Sequence, residues 1–135
     1  MTVATFVLDT NTVIDYFKGR GKVADRLLAV APREIALPAI AAYEVWVGVL
    51  GSQHAKRRQS QYEQFLSVIE VIPFDSAISR RAAEVRVALE RRGEAIGPLD
   101  TLIAGTALSC GATLITRNTA EFGRIAGLKV VNWHD

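Results

Sequence analysis

Short apolar runs alternate along the chain with longer segments in which apolar residues recur every three to four positions. The runs are rich in β-branched residues and predict strands, whereas the longer spacing predicts amphipathic helices. The predicted strands are Val3 to Leu8, Glu34 to Leu37, Glu70 to Phe74, Ala112 to Thr116 and Lys129 to Asn132. The predicted helices are Thr10 to Lys18, Val23 to Val30, Pro38 to Leu50, Gln53 to Val68, Ser76 to Arg92, Pro98 to Cys110 and a turn from Ala120 to Ile125. This alternation predicts an α/β fold with a central, mostly parallel sheet of four to five strands and helices on both faces.

Two helices show which side should face the core. In the helix opened by Pro38, core-like spacing predicts that Ile40, Tyr43, Val47 and Leu50 point inward and that Glu44 lies beside them. This spacing favours core packing over a partner surface for Tyr43. In the helix capped by Asp75, the predicted inward residues are Ile78, Ala82, Val85 and Leu89.

Three acidic residues stand out because each is isolated in an apolar segment. Asp9 ends the first predicted strand. Glu44 is the only charged residue in the segment 38–51, and Asp100 is the only one in the segment 96–116. An acid at a strand-to-helix junction of a parallel α/β sheet opens onto the crevice where ligands bind. Capping of the following helix is the alternative role for Asp9. Buried carboxylates need a partner, and no equally isolated Lys or Arg is available, so a cation from outside the chain is expected.

The residue types favour magnesium or manganese as that cation. Only His54 and His134 are present and neither lies in a Cys/His cluster, which argues against zinc. A site built from oxygens suits Mg²⁺ or Mn²⁺. With a phosphate substrate, the natural reaction is phosphodiester hydrolysis by an activated water, without a covalent protein nucleophile.

Several polar residues near the predicted strand ends could support this site. Asn11 could orient a carboxylate or simply stabilise the turn, and Thr116 could donate a hydrogen bond to a site acid or simply end its strand. Arg117 is placed to contact a substrate phosphate, with a surface ion pair as the alternative. Asp15 could approach the metal, but the prediction favours a solvated surface acid.

Composition narrows the remaining possibilities. The 135 residues predict a single domain spanning 1–135 with a sizeable core, and the net charge of +2 is only weakly basic. One cysteine, Cys110, excludes an internal disulfide and agrees with a cytoplasmic protein. Neither a signal peptide nor a membrane span is predicted. The basic run Lys56 to Arg58 is interpreted as a solvated helix face.

At this point the motifs resemble those of PIN-domain ribonucleases, and within them the VapC-type toxins of bacterial toxin–antitoxin pairs. The resemblance covers nearly the whole chain and depends on the order and spacing of its pieces. These are Leu8 to Asn11, Glu44 in an apolar helix, Ile96 to Ala104, Leu114 to Phe122, Gly127-Leu128 and Asn132-Trp133.

The resemblance implies a PIN-like fold and a Mg²⁺- or Mn²⁺-dependent endoribonuclease. It implies that Asp9, Glu44 and Asp100 are the catalytic, metal-binding acids, with Asn11 and Thr116 in the surrounding polar shell. It also implies a homodimer, inhibition by a small cognate VapB-like antitoxin whose tail occupies the active-site groove, and structured RNA such as tRNA or rRNA as the substrate.

The chain departs from this family pattern at one position. Asn118 stands where many relatives have a fourth aspartate, and its side chain adds no negative charge. Glu121, three residues later, either supplies that charge or is an ordinary acid on a helix surface. Loss of one carboxylate should weaken a second metal site more than the first.

Three other functions fit less well. A haloacid-dehalogenase-type phosphatase needs a second aspartate where this chain has Asn11, and a phosphorylated receiver domain leaves Glu44 and Asp100 unexplained. A catalytically weak or inactive RNA-binding or scaffold module would keep the fold, and its support is Asn118. The three retained acids argue against it.

Overall fold

A computed structural model describes residues 4–135, and within that range five parallel strands form one sheet. The order across the sheet is β3-β2-β1-β4-β5. The strands are β1 (Phe6–Leu8), β2 (Ile35–Pro38), β3 (Glu70–Ile72), β4 (Thr113–Ile115) and β5 (Val130–Val131). Each predicted strand is present. β2 has the predicted length but begins and ends one residue later, and the other strands are shorter than their apolar runs. The Val3 end of the first prediction lies outside the described residues.

The helices connect successive strands, as the sequence pattern predicts. They are α1 (Thr10–Lys18), α2 (Val23–Leu28), α3 (Ala39–Leu50), α4 (Ala55–Leu66), α5 (Ser76–Arg91), α6 (Pro98–Cys110) and α7 (Thr119–Phe122), with a 3-10 turn at Pro32–Glu34. Among the described residues no helix is both long enough and apolar enough to cross a bilayer.

The strand order places a reversal of direction beside the central strand. From β1 the chain winds outward through β2 to β3, and it then returns across the sheet to β4 on the other side of β1. Right-handed crossovers put the helices of these two halves on opposite faces of the sheet. Because Leu8 pairs with Ile115, the residues after β1 and β4 emerge side by side. Ligands bind at this kind of switch point in open α/β sheets.

The core lies between the sheet and the inner faces of the helices. Val7, Leu8, Leu114 and Ile115 are fully buried, as expected for central parallel strands covered on both faces. The predicted inner face of α5 is confirmed, since its buried residues are Ile78, Ala82, Val85 and Leu89. Helix α6 approaches α5 closely at Gly105, where a Cβ atom would lie 2.7 Å from the Cα of Ala82.

The predicted inner face of α3 is wrong except at Ile40, which is half buried against the core. Tyr43, Val47 and Leu50 are 58–60% exposed, and the buried residues of this helix are Ala41, Ala42 and Val45. The helix is apolar on nearly every side, so spacing alone does not single out one face. The small side chains on the opposite face allow α3 to pack against its neighbours, which leaves the large residues in solvent.

Candidate active site

Asp9 occupies the switch point and is held there by two hydrogen bonds. It is 4% exposed, and its Oδ1 accepts a hydrogen bond from the backbone N–H of Thr12 at 2.8 Å. Its Oδ2 accepts a hydrogen bond from the hydroxyl of Thr116, just beyond β4. Asp9 therefore both caps α1 and presents a buried carboxylate at the crevice, so the capping and site roles are compatible. Burial raises the pKa of Asp9, which these hydrogen bonds partly offset by lowering it.

Glu44 reaches the same region from α3. Its Oε1 accepts a 2.7 Å hydrogen bond from the hydroxyl of Thr10, the residue directly after Asp9. This bond ties the half-buried Glu44 to the start of α1. The sequence does not single out Thr10, because its partner lies 34 positions away and no local pattern indicates the pair.

Asp100 completes the group from the first turn of α6. Burial raises the pKa of Asp100, and the negative charges of Glu44, Asp9 and Glu121 raise it further. Asp100 and the three residues whose charges act on it are here called the acid cluster. Among residues 4–135 no side chain donates a hydrogen bond to Asp100, and the charges that act on it are all negative.

Thr116, Asn118 and Glu121 form a connected arm beside the acid cluster. The backbone N–H of Asn118 donates to the Thr116 hydroxyl oxygen at 3.0 Å, and that hydroxyl in turn donates to Asp9. The Asn118 side chain caps α7 and its Nδ2 donates to Glu121 Oε2 at 2.7 Å. Thr116 therefore does more than end its strand. Glu121 is half buried and acts on Asp100, unlike an ordinary surface acid.

The prediction that Asp15 is a solvated surface acid is wrong. The residue is 2% exposed, and its Oδ2 accepts no hydrogen bond from the described residues. Arg20 Nη1 and Arg117 Nη1 each lie 3.9 Å from one of its oxygens. A surface ion pair was the alternative to a phosphate contact for Arg117. The structure contains an ion pair of Arg117, but its partner is the buried Asp15. The three-residue spacing of Asp9, Thr12 and Asp15 along α1 is the sequence signal for this burial.

Asn11 lies apart from these contacts. It is exposed on the first turn of α1, and its side chain makes no hydrogen bond within the part of the chain that is described. The expectation that it orients a site carboxylate stays a prediction.

The donor set of the acid cluster fits a hard divalent cation in its chemistry. All four members offer carboxylate oxygens, and hydroxyl groups fix Asp9 and Glu44 while leaving lone pairs available. A bound dication would relieve the repulsion between Asp100 and the other three acids. Within residues 4–135, however, no three His, Cys, Asp or Glu side chains already stand within metal-holding reach of one another. The acids would have to draw closer to share an ion.

Known proteins resemble this chain in both sequence and fold. The sequence profile of the PIN domain matches residues 6–128. The tRNA(fMet)-specific endonuclease VapC of Shigella flexneri is 32% identical over 128 residues, which is 95% of this chain and 97% of that protein.

Two solved structures match over nearly their full length. DNA-bound VapBC from Salmonella typhimurium aligns with a TM-score of 0.90 and 31% identity, covering 97% of this chain and 99% of that one. VapBC2 from Rickettsia felis, bound to a promoter DNA fragment, aligns with a TM-score of 0.87 and 35% identity, covering 95% and 98%. The chain therefore belongs to the PIN-domain family and, within it, to the VapC ribonucleases.

Proposed function

We propose that this protein is a divalent-metal-dependent endoribonuclease toxin whose residues 1–135 form one PIN domain. The observation that carries the proposal is the acid cluster at the switch point of the sheet. Asp100 stands there with a raised pKa among three other acids and no neutralising cation from the described chain. A purely structural role does not explain why carboxylates are gathered where they destabilise one another.

Asp9, Glu44 and Asp100 are the residues proposed to hold Mg²⁺ or Mn²⁺. A bound dication would neutralise their charge, activate water and stabilise the leaving oxygen of the phosphodiester. Thr116 and Thr10 keep the Asp9 and Glu44 carboxylates oriented toward the crevice.

The charge of a fourth acid is supplied by Glu121 in this proposal. Asn118 holds the Glu121 carboxylate through its amide and joins it to Thr116 through its backbone N–H. Asn118 therefore positions the carboxylate of Glu121, three residues after the position where many family members have an aspartate. We expect Glu121→Gln to reduce RNA cleavage more than Asn118→Asp does, because the aspartate restores the charge at the usual position.

Structured RNA is the proposed substrate, with initiator tRNA as the first candidate. Two relatives that are 31–32% identical to this chain, from Shigella flexneri and Salmonella typhimurium, are named tRNA(fMet)-specific endonucleases. Lys56, Arg57 and Arg58 are exposed on α4, as expected for solvated residues, and could add phosphate contacts that weaken as salt rises. The proposed site of action is the cytoplasm, where such RNA is found.

A small VapB-like antitoxin is the proposed protein partner, since the solved structures that resemble this chain include VapBC complexes. A groove of about 450 Å³ between α1, α3 and α4 supports this assignment. Its lining combines apolar residues with three basic ones, Lys18, Arg57 and Arg58, which suits an extended segment with apolar anchors and acidic residues. The lining includes Ile14, Phe17, Val45, Val49, Arg57 and Arg58.

This partner assignment can be tested by co-expression with a VapB-like antitoxin. Phe17→Ser should reduce co-purification because it removes an apolar contact from the groove. Val87→Ser is the matched control, since Val87 is similarly exposed but lies on α5, outside the groove. Equal recovery of both variants with the antitoxin would place the interface elsewhere.

A homodimer is also part of the proposal. Tyr43, Val47 and Leu50 form an exposed apolar stripe on α3, which self-association would cover. Replacing Val47 by Glu should shift the sedimentation coefficient of the purified protein toward that of a monomer. An unchanged coefficient would remove this stripe from the dimer interface.

The central test is cleavage of labelled cellular RNA by antitoxin-free protein. We expect discrete cuts in Mg²⁺ or Mn²⁺, none with chelator, and at least a hundredfold lower activity in Asp100→Asn, as is typical for loss of a group that stabilises the transition state. Glu84→Gln removes an exposed acid on α5 and should cleave normally. Tight RNA binding without cleavage by the folded wild type would instead favour the inactive RNA-binding module, and equal cleavage by Asp100→Asn would refute the assigned site.

A further inference from the structure

Asp15 is a buried carboxylate without a hydrogen-bonding partner for one of its oxygens. The residue is 2% exposed, and Oδ2 is an unsatisfied buried polar atom among the described residues. Arg20 and Arg117 lie 3.9 Å away, at the outer limit of an ion pair, and neither donates a hydrogen bond to it. A carboxylate buried this way is costly and poorly suited to stabilising a fold. Its presence calls for a different explanation.

Local structure fixes Asp15, in the second half of α1, beside the carboxyl end of β4. The Thr12 hydroxyl donates to the Ile115 carbonyl oxygen at 2.9 Å, which ties α1 to β4 one turn before Asp15. Gly19 then ends α1 with φ of 64°, a left-handed conformation that turns the chain back so that the Arg20 N–H donates to the Asp15 carbonyl oxygen at 2.9 Å.

Arg117 is anchored at its backbone, and the tip of its side chain makes only the loose ion pair with Asp15. Its neighbours Thr116 and Asn118 are the residues that hold Asp9 and Glu121, so its Cα is fixed beside the acid cluster. The side chain is 48% exposed, and its guanidinium donates no hydrogen bond to any described residue. A guanidinium has five N–H donors in a planar fork that matches a phosphate group.

The Arg117 guanidinium pairs with Asp15 and not with the acid cluster. An unrestrained arginine next to several carboxylates would fold onto them and take the place of a cation. Among the described residues the Arg117 guanidinium lies 3.9 Å from Asp15 Oδ2 and makes no hydrogen bond or ion pair with a member of the acid cluster. The loose geometry of the pair leaves the guanidinium donors available to another anion.

We propose that Asp15 is a positioning residue that holds Arg117 at the rim of the acid cluster, where its guanidinium binds a phosphate of the RNA backbone. The proposal rests on the proposed nuclease function. It assigns a purpose to a buried acid that metal binding by Asp9, Glu44 and Asp100 does not require.

The test is binding of a fluorescently labelled initiator tRNA transcript, measured by anisotropy in chelator over a range of salt concentrations. Arg117→Gln should weaken binding by about tenfold and lower the salt slope by about one, the signature of one lost phosphate contact. Asp15→Asn should also weaken binding and lower the slope, although it removes a negative charge. Simple charge repulsion predicts the opposite sign, because one negative charge fewer should tighten RNA binding.

The double variant and a matched control complete the design. Asp15→Asn with Arg117→Gln should bind no more weakly than Arg117→Gln alone, because both changes remove the same contact. Arg20→Gln is the control: Arg20 is 52% exposed and also faces Asp15, but it lies after α1 rather than beside Thr116. It should cost less affinity than Arg117→Gln.

Each result bears on the proposal. Unchanged or tighter tRNA binding by Asp15→Asn, or additive losses in the double variant, would overturn it while leaving the nuclease proposal intact. Should Asp15→Asn fail to fold in a thermal melt, equal losses in Arg117→Gln and Arg20→Gln would overturn it. A wild type that shows no salt-dependent tRNA binding would count against the proposed function, and the role of Asp15 would fall with it.

Discussion

Replacing Thr116 by Val tests the central contact of the site. Valine keeps the shape of the side chain but removes the hydroxyl that donates to Asp9 and accepts from the Asn118 N–H. Thr116 is fully buried, so water cannot replace the hydroxyl without rearrangement. The change leaves a carboxylate oxygen and a backbone N–H unpaired.

The expected loss follows from these two contacts. A hydrogen bond to a charged group contributes about 1.5–3 kcal/mol, and the unpaired N–H adds a smaller amount because Asn118 is only half buried. We therefore expect the free energy of unfolding to fall by about 2–4 kcal/mol in metal-free protein. For a chain of this length that lowers the melting temperature by roughly 6–15 °C.

The pH dependence separates the charged contact from simple packing. The hydroxyl lowers the pKa of Asp9, so Thr116→Val should raise it further above the ordinary value. When folding raises the pKa of a carboxyl group, the free energy of unfolding falls as pH rises from the ordinary pKa through the raised one. The destabilisation by Thr116→Val should therefore be largest at neutral pH and should shrink as pH falls toward the ordinary pKa of 3.8.

Thermal melts of Thr116→Val and Thr106→Val over a range of pH provide the assay. Thr106 is equally buried, but its hydroxyl donates at 2.9 Å to the Leu102 carbonyl oxygen within the same helix. That variant should lose less than about 1 kcal/mol at every pH. Equal, pH-independent losses in both variants would refute the idea that Thr116 acts through the Asp9 carboxylate.

Two further predictions use the same measurements. In chelator at neutral pH, Asp100→Asn should raise the melting temperature, because it removes a carboxylate whose pKa is raised by burial and by three acids. This gain in melting temperature should vanish as pH falls toward 3.8, the ordinary pKa of an aspartate. The control Glu84→Gln should show no such gain. A lower melting temperature for Asp100→Asn would contradict the repulsion between Asp100 and the other acids. Gly105→Ala should lower the free energy of unfolding by about 1–3 kcal/mol, because its Cβ would lie 2.7 Å from Ala82. The control is Gly48→Ala on α3, whose Cβ meets open space and which should raise the free energy of unfolding by about 0.5–1 kcal/mol. An unchanged melting temperature for Gly105→Ala would show that α5 and α6 separate freely.

The parts of the fold and site that could be predicted depend on local patterns. Asp9 was recognisable because an apolar strand ends in an acid, and Asp100 because it is alone at the start of an apolar helix. The inner face of α5 was predicted correctly since its apolar residues form one stripe. Each of these signals lies within a single element of secondary structure.

Contacts between distant segments could not be predicted in the same way. The bond from Thr10 to Glu44 joins α1 to α3, and nothing in either helix indicates it. Helix α3 is apolar on nearly every side, so its inner face is decided by which neighbours accept small side chains. The burial of Asp15 depends on Arg117, about a hundred residues later, being brought beside it by the pairing of β1 with β4.

Titration of the metal-free protein with Mn²⁺, followed by calorimetry at neutral pH, tests the central claim most directly. The account predicts saturable binding by the wild type, affinity lowered about tenfold or more in Asp100→Asn, and unchanged binding in Glu84→Gln. Absence of binding by the folded wild type, or equal affinity in Asp100→Asn, would contradict the assignment of the acid cluster as a metal site.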